Sequence, residues 1–100
     1  MIAILWTYEV RPEAAAAFES AYGPNGEWAA LFRRSPSYLG TELLSAPGTV
    51  YLTIDRWRSS ADFDAFMAAH RADYDALDRA TESWTTKELK LGVWDSLGAP

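Results

Sequence analysis

One histidine, one inward-facing carboxylate and a set of aromatic rings are the residues of this chain with chemistry to offer. His70 is the single histidine. It lies in DFDAFMAAHRADYDAL, where Phe63, Phe66, Met67, His70, Tyr74 and Leu77 recur at three- and four-residue spacing and so share one side of a helix. An imidazole titrates near neutral pH, so one held on an apolar stripe suits proton abstraction from a phenol or activated methylene. The position equally suits a histidine that caps a small cavity or hydrogen-bonds a neighbour. Trp57 closes the strand segment YLTIDRW, thirteen positions earlier (57 to 70). Its indole offers a flat wall for an aromatic ligand and one N–H donor, or a plain core anchor.

Tyr51, Thr53 and Asp55 alternate onto the face of Trp57. A carboxylate on an inward face is costly unless paired. Asp55 can orient His70, bond to a buried tyrosine, or pair across an interface with an arginine such as Arg56 of the partner subunit; the interface pair is the expectation. Trp6 and Tyr8 share a face of the first strand, and with Tyr74 could hold a quinone-like molecule. The candidate substrate pocket is thus Trp6, Tyr8, Tyr51, Thr53, Asp55, Phe63, Phe66, Met67 and Tyr74, with His70 and Trp57 as the catalytic pair. The competing reading of the same stripe is simple core packing. Trp28 and Phe32, after a Gly-rich loop, form a lid or more packing.

These residues need a scaffold, and 100 residues supply one domain, placed at 1–95 with a tail at 96–100. Five Trp and five Tyr are many rings for so small an interior, so some should line a cavity or a subunit interface. Net charge is −5 and no basic cluster exceeds Arg33-Arg34, which argues against nucleic acid. The absence of cysteine removes disulfides, thiol nucleophiles and thiolate metal sites, and one histidine cannot build a multi-histidine centre within a subunit. No metal or cofactor is expected. The opening segment does not resemble a signal peptide and no apolar run reaches membrane length, so a cytoplasmic protein with no membrane partner is the expectation.

Ile2 to Val10 alternates as a strand, Pro12 suits a first helical turn, and Glu13 to Tyr22 reads as helix. Gly23-Pro24-Asn25-Gly26 is a loop, followed by a short helix from Glu27 to Arg34. Tyr38 to Ser45 and Thr49 to Trp57 form a hairpin over Pro47-Gly48. Ser59 caps a long helix from about Ser60 to Ala80, with Asp62 as its acidic N3 partner, and Thr85 to Trp94 is the last strand. The order is that of an α+β, ferredoxin-like split βαβ with a four-stranded antiparallel sheet. Both faces of its strands carry large hydrophobes: Leu5 backs Trp6, Leu52 and Ile54 back Tyr51 and Asp55, and Leu89, Leu91 and Val93 alternate with Lys90 and Gly92. The second face therefore calls for a cover, most simply the same face of a second copy in a homodimer.

YEVRP with its helix, GPNGEWAALFRRSPSYLGTELL, YLTIDRW and AFMAAHRADYDALD together resemble the antibiotic biosynthesis monooxygenase family, over Ile2 to Val93. The resemblance implies a dimeric α/β barrel, with two sheets face to face and a pocket between sheet and helices in each subunit. It also implies a mixed set of activities, since some members oxygenate polycyclic aromatic polyketides without flavin, haem or metal and others degrade haem. Trp57 matches the strand tryptophan that lines the oxygenases' pocket. Their asparagine four residues earlier falls on Thr53, and a helical arginine used by some is replaced near Leu77. On the haem-degrading pattern the ruffling tryptophan falls on Phe66. The axial histidine would fall near Ala76, about six residues beyond His70, so haem degradation is not implied.

The expectation is a cofactor-independent monooxygenase acting on an electron-rich aromatic or enolisable small molecule, polyketide-like. Trp57 would be its wall and His70 its proton acceptor, with Tyr8, Asp55 and Tyr74 as orienters. The alternative is a non-catalytic small-molecule-binding or stress-associated protein of the same fold.

Overall fold

Alternating apolar residues place strand β1 (Ile2–Val10) at the centre of the sheet, where both of its edges are hydrogen-bonded. The computed structural model describes residues 1–97. After β1 come a 3-10 turn (Pro12–Ala14), α1 (Ala15–Tyr22), α2 (Glu27–Phe32), β2 (Tyr38–Ala46), β3 (Val50–Trp57), α3 (Ser60–Thr81), a second 3-10 turn (Glu82–Trp84) and β4 (Thr85–Asp95). The four strands make one antiparallel sheet in the order β2-β3-β1-β4. This is the ferredoxin-like α+β arrangement that the element order implied. Of the expected tail, residues 98–100 lie outside the described residues. No helix among the described residues is long and apolar enough to cross a membrane.

Register sorts side chains between the two faces. Ile2 pairs with Trp57, Ile4 with Asp55, Trp6 with Thr53 and Tyr8 with Tyr51, so all eight point toward the helices. One end of this inward face is solid core: Trp57 has no exposed surface and is ringed by Phe32, Tyr38, Phe63 and Phe66 at 5.2–5.6 Å between centroids. Helices α1 and α2 add Phe18, Tyr22, Trp28, Leu31 and Phe32. The loop joining them is tight, and a Cβ on Gly26 would sit 2.3 Å from the carbonyl oxygens of Ser20 and Ala21.

Two turns fix the strands. Ser59 Oγ accepts from the Asp62 amide at 3.1 Å, capping α3 as expected. In the β2–β3 turn Thr49 takes φ 54°, unusual for a β-branched residue. Its hydroxyl donates to the Val10 carbonyl at 2.6 Å, and its own carbonyl accepts from the Val10 amide at 2.9 Å, which ties the hairpin to β1.

The last strand departs from strict alternation. Leu5 pairs with Gly92 and Trp6 with Lys90, so Leu91 is an extra residue in a bulge where Gly92 takes φ 135°. Leu89, Leu91 and Val93 therefore do not share a face: Leu89 pairs with Thr7 on the outer side, Val93 with Ile4 on the inner. The outer face still carries Leu44, Leu89 and Trp94, the last 59% exposed, and no layer of this subunit covers it.

Candidate functional site

Beyond the packed end, the inward face opens into a small cavity of about 60 Å³ that continues into solvent. Trp6 and Tyr8 come from β1, Thr41 from β2, Thr53 and Asp55 from β3, and Glu88 from β4. Tyr22 from α1, Trp28 and Phe32 from α2, and Tyr74 and Asp78 from α3 form the opposite wall. The space between sheet and helices is thus walled by rings and floored by polar groups, the usual make-up of a small-molecule site.

Asp55 is the chemically distinctive member. Burial pushes its carboxyl from 3.8 up to about 6, although a hydrogen bond from Thr41 works in the opposite direction. Register sets Thr41 directly across from Asp55, and Thr41 Oγ1 donates to Asp55 Oδ1 at 2.5 Å. The Tyr38 hydroxyl lies 2.5 Å from the same Thr41 oxygen. An ionised carboxylate only accepts, so Thr41 gives its proton to Asp55 and Tyr38 must donate to Thr41. This chain runs one way and holds Asp55 in place. Asp55 Oδ2 makes no hydrogen bond among the described residues.

The phenols of the cavity are held neutral. Burial raises Tyr8 well above the ordinary phenol range, partly opposed by its 2.9 Å hydrogen bond with Thr53 and supported by the Asp55 charge. Tyr22 is pushed up to about 12 by burial, and its hydroxyl donates to Thr81 Oγ1 at 3.1 Å. Tyr74 also reaches about 12, through burial and then the charges of Asp78, Asp55 and Glu88. The Tyr74 hydroxyl has no hydrogen-bond partner among the described residues, so it remains a free donor.

Of the residues singled out from sequence, the structure brings Trp6, Tyr8, Thr53, Asp55 and Tyr74 together around the cavity. Trp57 and Phe66 are in the core, with 0% and 3% of their surface exposed, and neither lines it. Tyr51 is buried against Phe18, at 4.8 Å between centroids, and donates its hydroxyl to Glu19. Phe63 and Met67 line a second, outer groove that shares the walls Trp6 and Tyr74 and includes Arg71 and Lys90. His70 lines neither space; it is half-buried, its ring 5.0 Å from Phe66. It also interrupts α3, with φ −125° and ψ 22°.

The expected interface pair between Asp55 and Arg56 is corrected. Asp55 lies on the helix-covered face bonded to Thr41, while Arg56 bridges Glu42 at 3.0 Å on the outer side of the sheet. Thr41, Tyr22, Asp78 and Glu88 were not foreseen as lining residues. Asp78 had a readable signal, since it follows Tyr74 by one helical turn. Glu88 becomes a neighbour of the cavity through its pairing with Tyr8.

The model for a family described as antibiotic biosynthesis monooxygenase matches residues 1–74. No curated protein matches the sequence. Among solved structures, a variant of SnoaB, a cofactor-independent oxygenase from Streptomyces nogalater, superposes with a TM-score of 0.80 at 20% identity, over 98% of this chain and 94% of that one. Two proteins that carry the family's name are similar. One from Nitrosomonas europaea has a TM-score of 0.72 at 18% identity, over 98% of this chain and 100% of that one. One from Deinococcus radiodurans has a TM-score of 0.74 at 16% identity, over 100% and 96%. At these identities the likeness speaks for the fold.

Proposed function

Since the chain belongs to the antibiotic biosynthesis monooxygenase family, we propose that it is a cofactor-independent monooxygenase acting on an electron-rich aromatic or enolisable small molecule, with Asp55 as the proton acceptor. The observation that carries this reading is the Asp55 carboxyl itself: raised to about 6 by burial, steadied by Thr41, and one of its oxygens unclaimed in an aromatic cavity. A base whose pKa lies near the working pH combines the correct charge state with useful proton affinity.

In the reaction, Asp55 removes a proton from a ring methylene or hydroxyl, and the resulting carbanion or phenolate is oxidised by O2. A methylene becomes a carbonyl: one oxygen atom enters the product, and the other leaves as water with the two hydrogens that carbon gave up. The substrate supplies all the electrons. Tyr74, neutral and unpaired, donates to the oxygen on which charge develops, and Trp6 and Trp28 flank the ring. Two copies pair through the outer sheet face of Leu44, Leu89 and Trp94, which the subunit leaves uncovered.

Oxygen uptake with a panel of anthrones and hydroquinones tests the proposal, using wild type, Asp55→Asn and His70→Ala. Uptake above the buffer rate is expected in wild type and His70→Ala and should be lost in Asp55→Asn. If wild type is no faster than buffer, the protein binds such molecules without turning them over. Loss in His70→Ala with retention in Asp55→Asn would return the base to His70.

A further inference from the structure

We propose that the outer groove between β4 and α3 binds the body of the ligand, and that Lys90 and Arg71 select one whose flat aromatic frame bears a carboxylate. Binding of such a molecule stands on the groove alone; its turnover rests on the oxygenase reading.

Size separates the two spaces. The cavity over Asp55 holds about 60 Å³, room for a few water molecules, whereas small-molecule sites run to about 300–1,000 Å³. The adjoining groove measures about 520 Å³. Ile4, Trp6, Phe63, Met67 and Tyr74 pave it, and Trp6 and Tyr74 also wall the cavity. A fused-ring ligand lying in the groove therefore reaches the cavity with one edge, between those two rings.

Backbone irregularity brings a cation to this floor. Val93 pairs with Ile4, so strict alternation would set Leu91 opposite Trp6 and continue the apolar surface. The bulge sets Lys90 there instead. Across the groove, α3 breaks at His70, directly before Arg71. Each bank thus departs from regular geometry next to its charged residue, and such departures concentrate where a fold serves a ligand rather than its own packing.

The two cations are weakly claimed within the subunit. Lys90 takes part in no ion pair among the described residues, and Arg71 reaches Asp75, one turn along the helix, at 4.0 Å. One lining residue is acidic, Asp64, and it lies about 10 Å along α3 from Arg71. The charged end of the groove is the end that meets the cavity, because Lys90 lies opposite Trp6 and Arg71 stands one turn before Tyr74. In a chain of net charge −5, two cations beside an aromatic floor are complementary to an anion with an apolar body. Two strand spacings, about 10 Å, separate Asp55 on β3 from Lys90 on β4. The carboxylate thus sits clear of the base, and a fused-ring frame spans the interval.

Calorimetric titration at pH 7.5 compares 2-naphthoate, 2-naphthylmethanol and 2-naphthylmethylammonium, and methyl NMR locates the bound ligand. The chain has two methionines, Met1 and Met67, and of these Met67 lines the groove, so labelled methionine methyls report on it directly. The naphthoate should bind about tenfold tighter than the alcohol, the ammonium more weakly than either, and the Met67 methyl should shift. Raising salt from about 0.05 to about 0.5 M should weaken the naphthoate more than the alcohol. Lys90→Gln with Arg71→Gln should cut the naphthoate's advantage to about twofold or less. Equal binding of all three, tightest binding of the ammonium, no binding of the naphthoate, an unmoved Met67 signal, or an advantage that survives the double variant would each overturn the proposal. The wild-type comparisons decide the matter even if the double variant does not fold. Oxygen uptake is read apart: carboxylate preference without turnover defeats the oxygenase reading alone. Turnover of hydroquinones without carboxylate preference defeats this inference alone.

Discussion

Replacing Asp55 with asparagine should make the protein more stable and less active at once. Folding raises the Asp55 carboxyl from 3.8 to about 6, so the folded state binds its proton more tightly than the unfolded chain does. Between those two values the folded protein holds more protons, and stability falls as pH rises through the window. Above about pH 6 the whole penalty is present, about 3 kcal/mol as an upper figure; below about pH 4 it is gone. Asparagine carries no charge, keeps an oxygen to accept from Thr41 and nearly preserves volume. Asp55→Asn should therefore gain about 1–3 kcal/mol at pH 7.5 and no more than about 0.5 kcal/mol at pH 4. For a domain of this size that is a rise of roughly 5–15 °C in melting temperature. Urea unfolding at pH 4, 5.5 and 7.5 measures it, and oxygen uptake by the same protein should fall by about 10²-fold or more. A gain equal at all three pH values would refute the argument, because it would owe nothing to the buried charge. So would a loss of stability at pH 7.5.

Tyr74→Phe removes a hydroxyl with no protein partner, so stability should hold within about 0.5 kcal/mol while turnover falls about tenfold, read by melting and oxygen uptake. Trp94→Lys places a charge on the uncovered sheet face, on its β4 edge, and should convert the proposed dimer to monomers in light scattering; an unchanged mass would remove that face as the interface. Gly26→Ala forces a methyl against two backbone oxygens and should cost about 1–3 kcal/mol in urea unfolding, with no effect if the loop can open.

Much of this molecule was legible before its structure because its signals are local. Proline at the first turn, the Ser59 cap, the Pro47-Gly48 turn and the two-residue alternation of β1 and β3 each act within a few positions. The inward set Trp6, Tyr8, Thr53 and Asp55 followed from alternation alone. What escaped depends on contacts between segments. Thr41 meets Asp55 through cross-strand register, beyond an irregularity between Tyr38 and Gly40 that parity cannot reveal. The bulge at Leu91 undid the alternation of β4 in the same way. His70 drew attention as the only imidazole, yet whether its stripe faced cavity or core depended on where Phe32 and Phe66 would fill space.

The inward face is divided along its length, and that division has a bearing on how such a protein can change over generations. Around Trp57 the strands meet the helices through close-fitting rings, where few substitutions would be survivable. A few residues along the same strands, Trp6, Thr53 and Asp55 border empty space. Selection can alter those positions, and with them the molecule accepted, while the sealed end continues to direct folding. A small domain of this kind can diversify in chemistry without risking its architecture.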